Sequence, residues 1–257
     1  IFRYSGIKFF RRYRKAKDIK LFIQNKKIDG IIADTWKSLE LCIKEINNKK
    51  IPVICLAHGN ELIYEKESRK KRIHKTLNEV KSVVANSKFT KQLVIRLGIK
   101  EKNIHVINPG ANDLRSQKII NSYNFSGSPI LLTLARLEKR KGHKKVLFSL
   151  VKLINDFPHI QYIIAGEGPE KSNLLSLTKK LKIQNHVHFL GNINNQQKKE
   201  IFDLTSLMIM PTSDETADRS IEGFGIAYIE AGMFGICSVA TNVGGVNEAI
   251  IHNETGI

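Results

Sequence analysis

Short apolar runs alternate with longer amphipathic segments along almost the whole chain. The apolar runs predict β-strands at 28–33, 52–57, 82–85, 104–107, 130–135, 162–165, 187–190, 207–210 and 237–240. The amphipathic segments predict helices over 2–27, 37–47, 64–80, 143–155, 170–181 and 195–203, a helix through 97 capped by Asn86-Ser87, and one from 246. Strands that alternate with helices are typical of an α/β fold with parallel sheets covered on both faces.

The alternation is interrupted near residues 112–129 by a stretch rich in Asn, Ser, Gly and Pro, a composition typical of a linker. We therefore predict two Rossmann-like domains, 1–115 and 130–257, joined by a linker at 116–129. Because the chain opens with Ile1 and stops at Ile257 without closing an element, we expect a fragment. Its first domain would be incomplete at the start, and its second domain at the end.

Charge distinguishes the two halves. The chain has 42 Lys and Arg against 24 Asp and Glu, and residues 1–127 contain 28 of the basic and 11 of the acidic ones. The first half therefore carries +17 of the total +18. This excess predicts an anionic partner, such as a membrane surface, nucleic acid or a phosphorylated substrate, or else a lysine-rich solvated surface. Residues 2–27 mix basic and aromatic side chains; the charges could meet lipid headgroups, whereas we expect the aromatics to pack on a sheet.

Three cysteines, Cys42, Cys55 and Cys237, lie in hydrophobic surroundings without metal-binding spacing. We interpret them as buried, reduced thiols of a cytoplasmic protein. No carboxylate cluster predicts a metal site, no apolar run is long enough to span a membrane, and no signal peptide is visible.

Polar and glycine residues gather where the predicted strands end. In parallel α/β sheets, ligands bind at the carboxyl ends of the strands. The residues that follow strands in this way are His58, Arg136, Gly166, Gly191, Glu222 and Gly244. Their common position predicts a binding site and not a set of unrelated loops.

The stretch Ser220–Gly235 contains the densest of these signals. Gly223 and Gly225 allow a ligand to approach the backbone, and a helix predicted to begin near Gly225 would offer free N–H groups to a phosphate. Glu230 falls within an apolar stripe formed by Ile226, Ile229 and Met233. A carboxylate there needs a partner. A ribose diol would serve, and so would a backbone or arginine group in an ordinary core helix.

Two cations follow the strand at 130–135. Arg136 and Lys141 suit a diphosphate, because guanidinium binds phosphate bidentately and ammonium acts as a point charge. The alternative is a solvated basic loop, since Lys139 and Arg140 sit between them. His58 could hydrogen-bond a substrate hydroxyl, or it could be structural.

Taken together, these motifs resemble glycosyltransferase family 4, whose members have the GT-B fold: two Rossmann-like parallel-sheet domains that face each other across a cleft. The matching segments are Glu222-Gly-Phe-Gly with Glu230, Ala135-Arg-Leu with Lys141-Gly142, Ala165-Gly-Glu-Gly-Pro169, Phe189-Leu-Gly191, Thr241-Asn-Val-Gly-Gly245 with Glu248, and His58-Gly59. The family's N-terminal strand with its Gly-rich loop, and its C-terminal returning helices, have no counterpart in the chain.

The resemblance implies a retaining hexosyltransferase that uses a UDP- or GDP-sugar and neither a metal nor another cofactor. Arg136 and Lys141 would bind the diphosphate, and Glu230 the ribose. Glu222, Gly223 and the backbone of Phe224 and Gly225 would face the donor sugar and its phosphate. Gly166 and the backbone around Ile193 would lie near the nucleoside, and His58 would approach the sugar from the acceptor domain.

The expected acceptor is a glycan or lipid-linked molecule of cell-envelope polysaccharide or lipopolysaccharide synthesis, with the protein in the cytoplasm or on the inner face of the plasma membrane. Two alternatives stay open. A GT-B-like sugar-nucleotide epimerase would share the fold, although the Arg136/Lys141 and Glu222/Glu230 pairs argue against it. A basic nucleic-acid-binding protein would share the charge, but no RNA-binding or helix-turn-helix motif is present, so we expect no nucleic-acid partner.

Overall fold

The computed structural model describes residues 7–119, 123–213 and 220–257, which fold into two parallel sheets. Residues 2–6 of the predicted first helix and 120–122 of the predicted linker lie outside this description. The chain divides by its contacts between Asn108 and Pro109. We call the part before this point unit 1 and the part after it unit 2. The α/β class is confirmed, whereas the domain limit at residue 115 stays a prediction.

Unit 1 alternates helices and strands as expected. In chain order its elements are α1 (Lys8–Asn25), β1 (Ile31–Ala33), α2 (Trp36–Leu39), α3 (Ile43–Asn48), β2 (Val53–Ala57), α4 (Glu67–Asn78), β3 (Ser82–Ala85), α5 (Lys88–Arg96) and β4 (Ile104–Val106). The strands pair in parallel in the order β1-β2-β3-β4. Val53 and Cys55 of β2 are buried with Ile73 of α4, so helices cover the sheet. Ser87 caps α5 as predicted, since its Oγ accepts a hydrogen bond of 3.0 Å from the N–H of Thr90.

Unit 2 repeats the pattern. Its elements are β5 (Ile130–Leu134), α6 (His143–Asp156), β6 (Gln161–Ala165), α7 (Lys171–Lys180), β7 (Val187–Gly191), α8 (Asn195–Leu204), β8 (Leu207–Met210), α9 (Ile226–Gly232), β9 (Ser238–Ala240) and α10 (Val246–Ala249). The strands are parallel in the order β7-β6-β5-β8-β9. Every residue of β6 is buried, which fits its interior place between two strands. Apolar clusters lie on both sides of the sheet, one under α6 and the other under α8 and α9.

Unit 1 departs from the sequence predictions in its first helices. The helix expected over 37–47 is two short helices, α2 and α3. In α1, Ala16 and Ile23 are buried, but Phe10, Tyr13 and Phe22 are exposed. The expectation that these aromatic residues pack on the sheet is therefore wrong, because the small residue Ala16 and the aliphatic Ile23 occupy the buried face of α1.

Two further findings concern membrane spans and thiols. Among the described residues, no helix is both long and apolar enough to cross a membrane. Cys42 and Cys55 are buried as expected, and burial raises the pKa of the Cys42 thiol to about 11. Cys237 is exposed, so the expectation of burial is wrong for this residue. It lies just before the short edge strand β9, where the chain is still at the surface.

Candidate functional site

The loops after β5 and β8 meet at the point where the strand order of unit 2 reverses. β5 pairs with β6 on one side and with β8 on the other, so the connections from β5 and β8 diverge. Such a switch point leaves a crevice at the carboxyl ends of the strands. The loop after β5 includes a short 3-10 helix, Lys139–Lys141, and the loop after β8 contains Glu222.

A buried ion cluster joins these two loops. One oxygen of Glu222, Oε2, accepts a hydrogen bond from Nη1 of Arg140 at 3.0 Å and another from Nζ of Lys141. The side chains of Arg140, Lys141 and Glu222 are 10%, 10% and 12% exposed, so water barely reaches the charges. Two cations share one carboxylate, and the cluster keeps an excess positive charge that an anionic ligand could neutralise.

Burial acts directly on the ammonium group in this cluster. Removal from water disfavours the charged form and lowers the pKa of Lys141 below its ordinary value, while the neighbouring Glu222 carboxylate opposes this shift. Arg140 adds to the lowering because it is a like charge. A phosphate oxygen bound here would favour the charged lysine and relieve part of the desolvation cost.

The cluster extends towards the surface through a second carboxylate. Glu138 accepts from Nε of Arg140 at 3.2 Å through Oε2, and its Oε1 pairs with Nη1 of Arg136 at 2.9 Å. Arg136 itself is exposed at the end of β5. Charges of alternating sign therefore run from the exposed Arg136 to the buried Glu222.

A cavity of about 600 Å³ opens beside this network at the ends of β5, β6 and β7. Its wall brings together Arg136, Gly166, Ile193 and Glu230, which the sequence predicted to lie in one site. Glu230 is not unpaired there, because its Oε1 accepts from Nζ of Lys198 at 2.6 Å. The volume and mixed lining fit a small polar ligand. Lys141, Glu222 and Phe224 are not in this wall.

The helix after the glycine turn begins where predicted but buries a different face. Gly225 precedes α9 with φ of 102°, a backbone conformation that favours glycine. Phe224 and Tyr228 are buried, and the Tyr228 hydroxyl donates to the carbonyl of Met210 at 2.9 Å. Ile226 is exposed. Ile229 and Met233 are half-buried, so the predicted apolar stripe of Ile226, Ile229 and Met233 is not the fully buried face of α9; Glu230 faces the cavity and Lys198.

The backbone of Glu222 is held tightly by the loop after β9. The N–H of Gly245 donates to the Glu222 carbonyl at 2.9 Å. A Cβ atom on Gly244 would lie 2.2 Å from the same carbonyl oxygen, so only glycine permits this approach. The neighbouring Gly223 lies in the turn between Glu222 and Phe224.

His58 belongs to unit 1, at the end of β2. The ring Nε2 lies 3.1 Å from the carbonyl oxygen of Asp34 and 3.2 Å from Asp34 Oδ1. The backbone N–H of His58 donates to Oε1 of Glu61 at 2.7 Å. The side chain of Asn86 donates to the His58 carbonyl at 3.3 Å. Polar residues at the ends of β1, β2 and β3 thus hold His58 in place, with its ring half-exposed.

The sequence interpretation missed three residues of the unit 2 site. The sequence indicates Arg140 only as part of the alternative, a solvated basic loop, and it singles out neither Glu138 nor Lys198. Only the partners show their importance: Arg140 meets a carboxylate 82 positions later, and Lys198 meets one 32 positions later. A local motif carries no signal for such distant pairs. Within residues 7–119, 123–213 and 220–257, no group of three His, Cys, Asp or Glu could hold a metal ion.

Comparison with known families identifies the class of protein. Residues 115–257 match the model of "Glycosyl transferases group 1", and residues 2–114 match the model of "Glycosyltransferase Family 4". The first match alone covers more than half of the chain. The chain therefore belongs to the group 1 glycosyl transferases, and the resemblance to glycosyltransferase family 4 is confirmed.

Relatives and solved structures agree with this assignment. The chain is 29% identical over 135 residues to a GDP-mannose-dependent alpha-(1-6)-phosphatidylinositol monomannoside mannosyltransferase of Mycobacterium tuberculosis, a match covering 52% of this chain and 35% of that protein. It is 30% identical over 135 residues to an N-acetyl-alpha-D-glucosaminyl L-malate synthase of Bacillus anthracis, covering 52% and 33%. The chain thus spans about a third of the length of these relatives.

A solved structure supports the fold. The Anabaena protein HepE, crystallised with UDP and glucose, superposes with a TM-score of 0.76 and 19% identity, covering 96% of this chain and 66% of that one. The GT-B class predicted from the sequence is confirmed as the fold.

Proposed function

We propose that the protein containing this chain is a retaining glycosyltransferase that moves a sugar from a nucleotide-sugar donor to a glycan or lipid-linked acceptor of the cell envelope. One observation carries the proposal: at the strand switch point of unit 2, three cations share two carboxylates, so this network has one positive charge in excess; its members are Arg136, Arg140, Lys141, Glu138 and Glu222. A donor diphosphate is the anion that such a cluster would stabilise. Relatives with this domain are named for transfer of mannose or of N-acetylglucosamine.

In the proposed complex, the cavity of unit 2 takes the nucleoside. Gly166 and Ile193 would lie along it, and Glu230 would exchange its bond with Lys198 for hydrogen bonds to the ribose diol. Arg136 and Lys141 would bind the diphosphate. A UDP- or a GDP-sugar fits this description equally, because the chemistry invoked involves the phosphates and the ribose.

The chemical step would use the cations to stabilise the leaving group. The bond between the anomeric carbon and the diphosphate oxygen breaks, and the electron pair leaves with the diphosphate, whose charge Lys141 and Arg136 neutralise. The acceptor hydroxyl forms the new bond on the same face, and its proton passes to the departing phosphate. Glu222 would contact the donor sugar; His58 is proposed to hydrogen-bond a sugar hydroxyl. No metal or further cofactor is included in this proposal.

Calorimetric titration of the chain with UDP- and GDP-sugars tests the donor site. Lys141→Ala and Glu230→Ala should each weaken donor binding by roughly 10- to 100-fold, the effect of losing a hydrogen bond to a charged group. Lys139→Ala is the matched control, because Lys139 is exposed in the same 3-10 helix as Lys141. Unchanged donor affinity in both variants would refute the assignment.

The acceptor side is proposed to meet an anionic membrane through α1. This helix exposes Phe10, Tyr13 and Leu21 among Arg11, Arg14 and Lys17, the combination that interfacial helices use. Such contact would place the protein on the cytoplasmic face of the plasma membrane. The Leu21→Ser variant should sediment less with vesicles that contain anionic lipid, and Leu175→Ser, which removes an exposed leucine of unit 2, should not. Equal loss in both variants would contradict a role for α1.

A further inference from the structure

Two cations of unit 1 surround one phenol. The Lys37 ammonium on α2 lies 5.8 Å from the centre of the Tyr64 ring, and the Arg69 guanidinium on α4 lies 4.6 Å from it. All three side chains are half-buried. The helices α2 and α4 pack against each other, so this arrangement is fixed by the fold.

The nearby carboxylates are committed to other groups. Glu40 pairs with Arg12 and Arg72, and Glu67 pairs with Lys70 at 2.7 Å. Glu61 accepts the His58 N–H at 2.7 Å. Among the described residues, neither Lys37 nor Arg69 forms an ion pair with a carboxylate. Within the described part of the chain, the positive charges of Lys37 and Arg69 are therefore not balanced by an ion pair.

The pKa of Tyr64 responds to these two positive charges. Burial of Tyr64 opposes its ionisation, but hydrogen bonds and charges from Lys37 and Arg69 outweigh burial, and the pKa of Tyr64 is lowered from its ordinary value. An electrostatic environment that favours a phenolate also favours other anions.

The place of this pair in the fold connects it to His58. Trp36 meets the Tyr64 ring edge-on, with ring centres 6.5 Å apart, and its Nε1–H donates to the carbonyl of Glu61 at 2.8 Å. The Glu61 carboxylate in turn holds the backbone of His58. A continuous set of contacts at the carboxyl ends of β1 and β2 therefore links the cation pair to His58.

We propose that Lys37 and Arg69 form a subsite for the phosphate ester of the acceptor. A guanidinium can bind two phosphate oxygens while an ammonium contacts a third, and two positive charges match a phosphate dianion. The assignment to the acceptor rests on the proposed function, whereas the binding of a phosphate ester by unit 1 does not.

Titration calorimetry with glycerol 3-phosphate tests the subsite on the whole chain. Lys37→Gln/Arg69→Gln should weaken binding by roughly tenfold or more, because two charge-assisted hydrogen bonds are lost. Lys71→Gln/Lys75→Gln removes the same charge from exposed positions of α4 and should change the affinity less than about twofold. Equal weakening in both double variants, or no binding by the wild type to this ester or to the vesicles described next, would overturn the subsite.

Flotation compares phosphatidylcholine vesicles that contain phosphatidic acid, whose headgroup is a phosphate monoester like glycerol 3-phosphate, with phosphatidylserine vesicles of equal surface charge. The contact of α1 with an anionic surface contributes to both, so the subsite is measured by the extra binding to phosphatidic acid. The subsite takes a lipid headgroup if Lys37→Gln/Arg69→Gln loses the extra vesicle binding and glycerol 3-phosphate does not compete with the vesicles. If glycerol 3-phosphate binds and competes, it takes a soluble ester as well. Extra binding to phosphatidic acid that survives in Lys37→Gln/Arg69→Gln would contradict the proposal.

A spectroscopic titration of the Tyr64 phenol detects phosphate binding without an assay of enzymatic activity. The ultraviolet difference between wild type and Tyr64→Phe isolates ionisation of this phenol. A bound phosphate should raise its titration midpoint, because the anion neutralises Lys37 and Arg69; an unchanged midpoint at saturating phosphate would overturn the proposal. Donor binding at unit 2 is measured separately, so failure of the subsite and failure of the proposed function remain distinguishable.

Discussion

One arrangement of charges occurs in both units at different depths. In unit 1, Glu40 accepts hydrogen bonds from Arg12 and Arg72; in unit 2, Glu222 accepts them from Arg140 and Lys141. The two carboxylates are similarly shielded, at 10% and 12% exposure. Their cations are not, because Arg12 and Arg72 are 33% and 47% exposed, against 10% for both cations of unit 2.

This difference shows that the pattern of pairing does not by itself define a site. The cations around Glu40 keep part of their hydration, so that cluster mainly ties α1 and α4 to the end of α2. Arg140 and Lys141 have lost most of theirs; Lys141 depends on Glu222 or on a bound anion, and Arg140 on Glu138 and Glu222. The cluster with the more deeply buried cations thus lies in the nearly neutral half of the chain, although the excess of basic residues lies in the other half.

The largest effect is expected from removing the shared carboxylate of unit 2. Glu222→Ala leaves Lys141 buried without a counterion and Arg140 paired only with the more exposed Glu138, and we expect the free energy of unfolding to fall by about 3–5 kcal/mol. Urea denaturation measures this change. Glu254→Ala, an exposed carboxylate of the same unit, is the control, and Glu222→Ala/Lys141→Met should recover part of the loss. A loss below about 1 kcal/mol would mean that the cluster is hydrated like that of Glu40.

The next effect tests whether water is excluded from the residues beneath the loop of the unit 2 cluster. His143 is buried beneath it, with Nε2 3.4 Å from the Arg136 carbonyl and Nδ1 3.4 Å from the Tyr162 hydroxyl. Burial lowers its pKa to about 4, from about 6.5 in the unfolded chain. Between these values the unfolded state binds the extra proton, so stability should fall as pH drops from about 6.5 to about 4, by on the order of 3 kcal/mol.

Urea midpoints measured across this pH range check the slope. His143→Gln should flatten it, whereas His159→Gln, at an exposed position, should retain it. An identical pH dependence in wild type and His143→Gln would show that water reaches the base of the loop.

A smaller effect concerns the fork geometry of Arg140. Lysine keeps the charge, but it has one nitrogen in place of the separate Nε and Nη1 donors that contact Glu138 and Glu222. Arg140→Lys should therefore lower the free energy of unfolding, measured by urea denaturation, by about 1–2 kcal/mol. Arg136→Lys changes the exposed partner of the same Glu138 and should cost less than about 0.5 kcal/mol. Similar losses in both variants would show that burial adds nothing to the pairing.

The smallest effect is expected from the unit 1 cluster. Glu40→Ala should lower stability by about 1 kcal/mol or less, since both arginines can turn to water. Raising the salt concentration should reduce even this difference, because exposed charges are screened. A loss as large as that of Glu222→Ala would remove the distinction between the two clusters.

The sequence predicted the frame of the molecule well because its signals are local. Apolar runs located the strands, and parallel pairing then brought Arg136, Gly166, Ile193 and Glu230 to one cavity. The buried face of α9 was not predictable in this way. That helix has only seven residues and is apolar on both sides, and the choice depends on the Tyr228 hydroxyl reaching Met210 in β8.

The burial of charged side chains was also not predictable from the sequence. Lys139, Arg140 and Lys141 follow one another and look alike in composition, yet the first is exposed and the other two are buried. The difference arises from Glu222, which approaches from a distant loop. Likewise, α1 has enough aromatic residues to suggest packing, but its buried positions include Ala16 and Ile23, while Phe10, Tyr13 and Phe22 are exposed.

The contact between Gly244 and Glu222 joins the loop after β9 to the loop after β8. The loop after β9 cannot shift along the Glu222 carbonyl without breaking the Gly245 hydrogen bond or colliding with that oxygen. A side chain at position 244 would force this loop or the Glu222 backbone to shift, so the glycine helps to set the position of the carboxylate that pairs with Arg140 and Lys141.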